Sequence, residues 1–153
     1  MNRKVEHAYT GPRVTKAVCA VDVGLPINPL GLEAQMMGGM MDGIAQVLSY
    51  SLHLQDGHFL EGSWDDAFYT RQWNTPPQLQ VVVMPPTSDD PGGAGEFAVA
   101  PSMAATACAY ARATGALPTS FPVNHDRADL GFEPFPTVPS VPQSPTDGLT
   151  KTF

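Results

Sequence analysis

Apolar positions fall into four patterned stretches separated by glycine and proline. The first, Arg13 to Val23 (RVTKAVCAVDV), carries apolar residues on both alternating sets, which predicts a strand covered on both faces. Gly24 and Pro26 end it. Asn28 then offers a helix N-cap, with Pro29 at the first helical position. The second stretch sets Met36, Met37, Met40, Met41, Ile44, Ala45, Val47 and Leu48 at spacings of three and four, predicting a long helix over about 29–52. Gly38, Gly39 and Gly43 lie inside it. Each costs about 1 kcal/mol against alanine in a helix interior, so together they imply close approach to another backbone or to a bound group. Asp56-Gly57, between SLHLQ and HFLEG, predicts a tight hairpin with His53 and His58 near its turn.

LQVVVMP, Leu79 to Met84, reads as a strand stopped by Pro85 and Pro86. After the loop 87–97, PSMAATACAYARAT predicts a second, alanine-rich helix over about 101–114, closed by Gly115. The expected fold class is α+β, with two main helices packed on a mixed or antiparallel sheet containing the Val14 and Leu79 strands. From Glu133 onward, prolines at 134, 136, 139, 142 and 145 replace any core-forming period. The chain therefore divides into a folded segment, 1–132, and a proline-rich extended tail, 133–153.

Composition adds three constraints. Only 15% of residues are charged, against about 25% in a typical globular domain, which suggests that part of the surface is covered by another chain or domain. The net charge of −7 argues against general nucleic-acid binding and against a polybasic membrane contact. No apolar run reaches the length of a membrane span, so no direct membrane insertion is expected, and the N-terminal residues lack the apolar core of a signal peptide. Nothing in the chain specifies a compartment. Cys19 and Cys108 each sit in an apolar run and read as buried free thiols.

Two residues stand out chemically. Glu96 ends Pro91-Gly92-Gly93-Ala94-Gly95-Glu96, where three glycines permit positive φ and close approach to a ligand. A lone acid followed by Phe97, Ala98 and Val99 is either a desolvated general base or a solvated glutamate in an ordinary turn. The loop has no lysine and no GxxxxGK[ST] pattern, and acids lie in or beside it, so it is not a phosphate cradle. Gln35, before Met36-Met37-Gly38-Gly39-Met40-Met41, is either a donor and acceptor for a polar heterocycle or part of an exposed stripe. The methionines fit core packing better than a soft-metal site, having no cysteine or histidine companion. His53, Asp56 and His58 read as a hairpin surface rather than a zinc site, and Asp65-Asp66 point to opposite faces if extended. No GxSxG, CxxC or EF-hand pattern occurs.

The order VDVGLPINP, QMMGGMMDGIAQVL, hairpin, WDDAFYTRQWNTPPQLQVVVMP, PGGAGE and an alanine-rich helix ending in TG covers about Val14 to Val123. It resembles the C-terminal part of the molybdopterin-binding large subunit of the xanthine dehydrogenase and aldehyde oxidase family. Within that family it looks most like the bacterial isoquinoline 1-oxidoreductase beta subunits and membrane-associated aldehyde dehydrogenases. The resemblance implies a part of a molybdenum hydroxylase that oxidises an aldehyde or an N-heteroaromatic with water-derived oxygen. Glu96 matches the active-site glutamate that takes a proton beside the molybdenum. Gln35 matches a glutamine that hydrogen-bonds the pterin, and Gly95 a residue that lets the backbone approach the metal's ligands. Arg71 matches a recurrent arginine, read as structural. No side chain of this chain is assigned as a metal ligand.

The implied cofactor is molybdenum-molybdopterin, in its cytosine dinucleotide form, shared with other parts of the large polypeptide. The implied partners are the remainder of that polypeptide and an iron–sulfur subunit carrying iron–sulfur clusters. Family members run to many hundreds of residues, so the resemblance makes this chain one wall of an active site, expected to be inactive alone. Thr75, Phe97 and Asp42 depart from the family's usual acid, proline and aromatic residue at those places. The other reading is a non-catalytic fragment or interaction module, binding a partner through the methionine helix and the proline-rich tail.

Overall fold

The computed structural model describes residues 12–50, 52–59 and 74–123. The elements in order are β1 (Lys16–Val21), α1 (Pro29–Leu48), β2 (Leu54–Gln55), β3 (His58–Phe59), β4 (Gln78–Val83) and α2 (Val99–Thr114). The α+β expectation holds, with two helices packed beside a small sheet. Asp65, Asp66, Arg71, His7, His125 and the 133–153 tail lie outside the described residues.

The strand pairing refines the expectation. β1 and β4 pair in parallel, from Lys16 opposite Gln78 to Val21 opposite Val83. The antiparallel arrangement is thus excluded for this pair. A parallel pair needs a long crossover, and α1 with the hairpin lies within it. Among the described residues β1 is also covered on one face only. Ala17 and Cys19 are half-buried and Val21 is buried, whereas Lys16, Val18 and Ala20 are exposed. Asp56 (φ 51°) and Gly57 (φ 79°) form the two-residue turn of the β2–β3 hairpin, as the Asp-Gly pair predicts.

α1 starts where the sequence places it. The Asn28 side chain accepts from the Gly31 N–H at 3.0 Å, and Pro29 sits in the first turn. The helix stops at Leu48, four residues before the expected end. Its apolar stripe divides between two neighbours. Leu32, Met36 and Met40 pack with Val21, Val23 and Ala98 against the inner face of the sheet. Ile44, Val47 and Leu48 pack with Met103, Ala107 and Val123. Met36 and Met40 are core residues, the packing role expected of them. Met36 is fully buried, and truncating such a side chain to alanine costs about 2–5 kcal/mol.

Two of the three helical glycines have a reason in the structure. A Cβ on Gly43 would lie 2.5 Å from the Val99 carbonyl oxygen and 3.0 Å from the Met103 nitrogen. A Cβ on Gly39 would lie 3.1 Å from that of Ala98. These positions let α1 touch the backbone of α2's first turn. Gly38 meets nothing within 4 Å among the described residues, so the inferred close approach does not extend to it. α2 begins at Val99, two residues earlier than expected, and ends at Gly115, whose φ of 80° closes the helix in the left-handed region.

Cys19 and Cys108 are free, as expected, but neither is buried: Cys19 is half-buried and Cys108 is exposed. No helix among the described residues is long and apolar enough to cross a membrane.

The glycines separate cleanly by substitution. Gly43→Ala must displace α2 backbone and should destabilise the chain by about 1–3 kcal/mol. Gly38→Ala fills open space in a helix and should stabilise by about 0.5–1 kcal/mol. Urea unfolding of the full chain reads both signs.

Candidate functional site

The site forms where the C-terminal end of β1, the start of α1 and the glycine loop meet. The parallel ladder does not stop at β4. The Met84 N–H donates to the Val21 carbonyl at 2.9 Å, and the Thr87 N–H to the Gly24 carbonyl at 3.2 Å. The Leu25 N–H donates to the Asp90 carbonyl at 3.1 Å, and the Gly92 N–H to the Val23 carbonyl at 2.7 Å. A short antiparallel bridge joins Gly24 to Pro91. The loop after β4 is therefore folded back and sewn onto the turn after β1.

Gly24 makes this possible. Its φ is +70°, and a Cβ there would lie 2.5 Å from the Asp90 carbonyl oxygen and 2.7 Å from the Ser88 hydroxyl oxygen. The sequence pattern assigns positive φ to the PGGAGE glycines instead. Gly92, Gly93 and Gly95 all lie outside the positive-φ region. Gly92 is needed for contact rather than conformation, since its Cβ would lie 3.0 Å from the Val23 carbonyl oxygen.

Asp22 is a structural residue that belongs to none of the motifs weighed for chemistry. Its carboxylate accepts from the Gly24 N–H at 2.9 Å and from the Thr87 hydroxyl at 2.8 Å. The Gly24 amide, and after it the Thr87 hydroxyl, hold its carboxyl below the ordinary value of 3.8. The signal for it is present in Asp22-Val23-Gly24, because an aspartate readily bonds the backbone two residues on.

The structure brings Gln35 to the glycine loop. Its Nε2–H donates to the Gly95 carbonyl, sixty residues away in sequence. The two segments that stand out chemically are thus physically joined. Beside them is a cavity of about 260 Å³, walled by the turn from Val23 to Asn28, by Gly31, Leu32 and Gln35 of α1, and by Pro91, Gly92 and Ala94. Its lining carries no charged side chain, and its polar side chains are Asn28 and Gln35. That chemistry fits one side of a neutral, polar ring system.

Glu96 follows directly. Its carbonyl accepts from the Val99 N–H at 3.1 Å, so it leads into the first turn of α2. Ala98, which caps that turn, is 3% exposed and locked in the core. Glu96 and Gly95 themselves are exposed. Of the two readings the sequence leaves open for Glu96, the described residues produce the solvated one: they pack the backbone beneath it and leave its outer side open. Apart from Gly95 itself and its chain neighbours, no described atom lies within 4 Å of a Cβ built on Gly95. Phe97 next to it is 55% exposed.

Residues 4–73 match the family model for the molybdopterin cofactor-binding domain. Over 139 residues the chain is 30% identical to a nicotinate dehydrogenase subunit of Pseudomonas putida, a match that covers 86% of this chain and 12% of that protein. Both matches support the molybdopterin-binding family. The family model takes in β1, α1 and Gln35, and ends before the loop bearing Gly95 and Glu96. The chain spans about 12% of that relative's length.

Asp22 gives a pH test. Its carboxyl is held below the ordinary value, so the stability it adds is present above that value and is lost as pH falls through the lowered one. Asp22→Asn should lower the urea midpoint at neutral pH, and the gap from wild type should close on acidification below about pH 4. A gap that persists unchanged to about pH 2 would rule out the carboxylate as its origin.

Proposed function

We propose that this chain supplies one wall of the active site of a molybdenum hydroxylase, with Glu96 as the general base and Gln35 and Gly95 against the pterin. The observation that carries this reading is the hydrogen bond from Gln35 to the Gly95 carbonyl. It ties the cavity beside α1 to the residue preceding Glu96, so a group bound in the cavity and a carboxylate acting on it share one rigid frame. The substrate is an N-heteroaromatic, in keeping with the nicotinate of the relative's name, or an aldehyde.

The bound molybdenum cofactor, in its cytosine dinucleotide form, would supply the two-electron redox chemistry. This chain's own residues do the rest. Gln35 and the uncharged cavity wall orient the pterin. Gly92 and Gly24 keep the loop close to β1, which fixes where Glu96 starts. Glu96 holds and moves a proton at its carboxylate oxygens. Its open side is where the remainder of the large polypeptide would close over it and exclude water, the condition under which a fixed charge acts most strongly. Electrons would pass to an iron–sulfur subunit.

A non-catalytic interaction module is favoured by a different observation. Ile27 and Leu30, beside the cavity, are 73% and 80% exposed, a surface suited to a partner alone. Glu96→Gln in the assembled complex separates the two. A general base implies a loss in kcat on the order of 10²–10⁴-fold with the complex still loaded. Unchanged turnover would leave Glu96 without a catalytic role and favour the module.

A further inference from the structure

A second depression, of about 450 Å³, runs between β1 and α2. Its floor is Met40 and Ile44 of α1, and its far wall includes Ser102, Ala105 and Ala109 of α2. No β4 residue lines it. The reason lies in the phase of the ladder. The Gln78 N–H donates to the Thr15 carbonyl and the Met84 N–H to the Val21 carbonyl. In a parallel pair this turns the backbone groups of Ala17 and Cys19 toward β4. Those of Lys16, Val18 and Ala20 then face the depression. Among the described residues β4 is the only strand beside β1, so the groove opens onto a strand edge six residues long.

The direction of the groove follows from the packing. Val14 and Ala17 share a cluster with Met103 and Ala107, whereas Val21 shares one with Ala98. α2 therefore runs antiparallel to β1. Lys16 and Arg112 stand at one end of the groove, and Phe97, next to Glu96, at the other. Both charged lining residues are cations, with no acid between them, in a chain whose net charge is −7.

We propose that this groove takes a β-strand from the remainder of the molybdopterin-binding polypeptide, added to the free edge of β1. The strand presents alternating apolar side chains to Met40 and Ile44 and a carboxylate to Lys16 and Arg112. Three observations select this occupant. An open edge beside an apolar floor is met by another strand, whose main chain continues the ladder while alternate side chains fill the floor. The two cations call for an acid, which a second copy's edge, KAVCAV, does not bring. A relative of this chain is mostly protein outside the matched region. The added strand ends at Phe97, so docking also brings a covering element alongside Glu96. The inference rests on the molybdenum-hydroxylase reading for the identity of the strand's source.

The test compares the full chain alone with the complex purified from its host, using residue-resolved hydrogen exchange and metal analysis. In the complex the amides of Lys16, Val18 and Ala20 should slow by about 10²-fold or more, while those of Ala17 and Cys19, paired with β4 in both, stay nearly constant. A photo-crosslinking residue at Val18 should join an extended segment of a molybdopterin-binding polypeptide. Ala105→Arg, which fills the groove from the exposed side of α2, should weaken assembly at least about tenfold with little change in the chain's own unfolding midpoint. Val18→Pro, which removes an edge donor without touching the β4 ladder, should do the same. Equal protection in the isolated chain, a cross-link to a second copy, or recovery of the chain alone would each overturn the proposal. Molybdenum in a complex whose β1 edge exchanges freely would overturn the docking and leave the proposed function standing. A protected edge cross-linked to a partner without molybdopterin would overturn both.

Discussion

The contact on which the described fold depends lies between α1 and the first turn of α2, and it exists because Gly43 and Gly39 have no side chains. Any Cβ at Gly43 would meet the Val99 carbonyl oxygen at 2.5 Å. That contact sets the depth at which α2 lies. It also fixes Ala98, which is locked against the Met36 and Met40 layer, and therefore Glu96 two residues upstream. The helical glycines cost helix stability locally and return it as a defined distance between the α1 surface carrying Gln35 and the segment carrying Glu96.

A second clamp acts from the sheet side. Asp22, Gly24, Thr87 and Asp90 fold the loop after β4 onto the turn after β1. Gln35 then grips the loop at Gly95. The loop is thus held at its two ends by different elements. Exposed as it is, it has few degrees of freedom left in its main chain. Tight backbone anchoring with an open side-chain surface is the arrangement expected of a segment that meets a ligand or a neighbouring chain.

Local features were legible in the sequence. Asn28-Pro29, Asp56-Gly57 and Gly115 act where their backbone chemistry predicts, and the cost of helical glycines correctly implied a close neighbour for Gly39 and Gly43. What was not legible depends on distant or absent partners. Parallel pairing of Lys16–Val21 with Gln78–Val83 is set by how α1 crosses the sheet, which no local pattern encodes. The apolar alternation in RVTKAVCAVDV predicts two covered faces, whereas the described residues cover one. Val18 is accordingly left 52% exposed. Glu96 shows the same asymmetry, its flanking Phe97, Ala98 and Val99 being apolar enough to suggest burial, yet only Ala98 is buried. In both places the sequence describes an environment larger than the described residues provide.

The bond from Gln35 has a consequence for directionality. A glutamine side chain is ambivalent, able to present a donor or an acceptor by turning its amide over. Here the Gly95 carbonyl, which can only accept, settles the choice and points Nε2 at the loop. The side chain keeps its oxygen, which accepts, and the second N–H of Nε2, which donates, and their places relative to the loop are fixed. Whatever lies against that oxygen must bring a hydrogen of its own, so the glycine loop, through one peptide carbonyl, dictates the hydrogen-bonding polarity of a neighbour it does not touch.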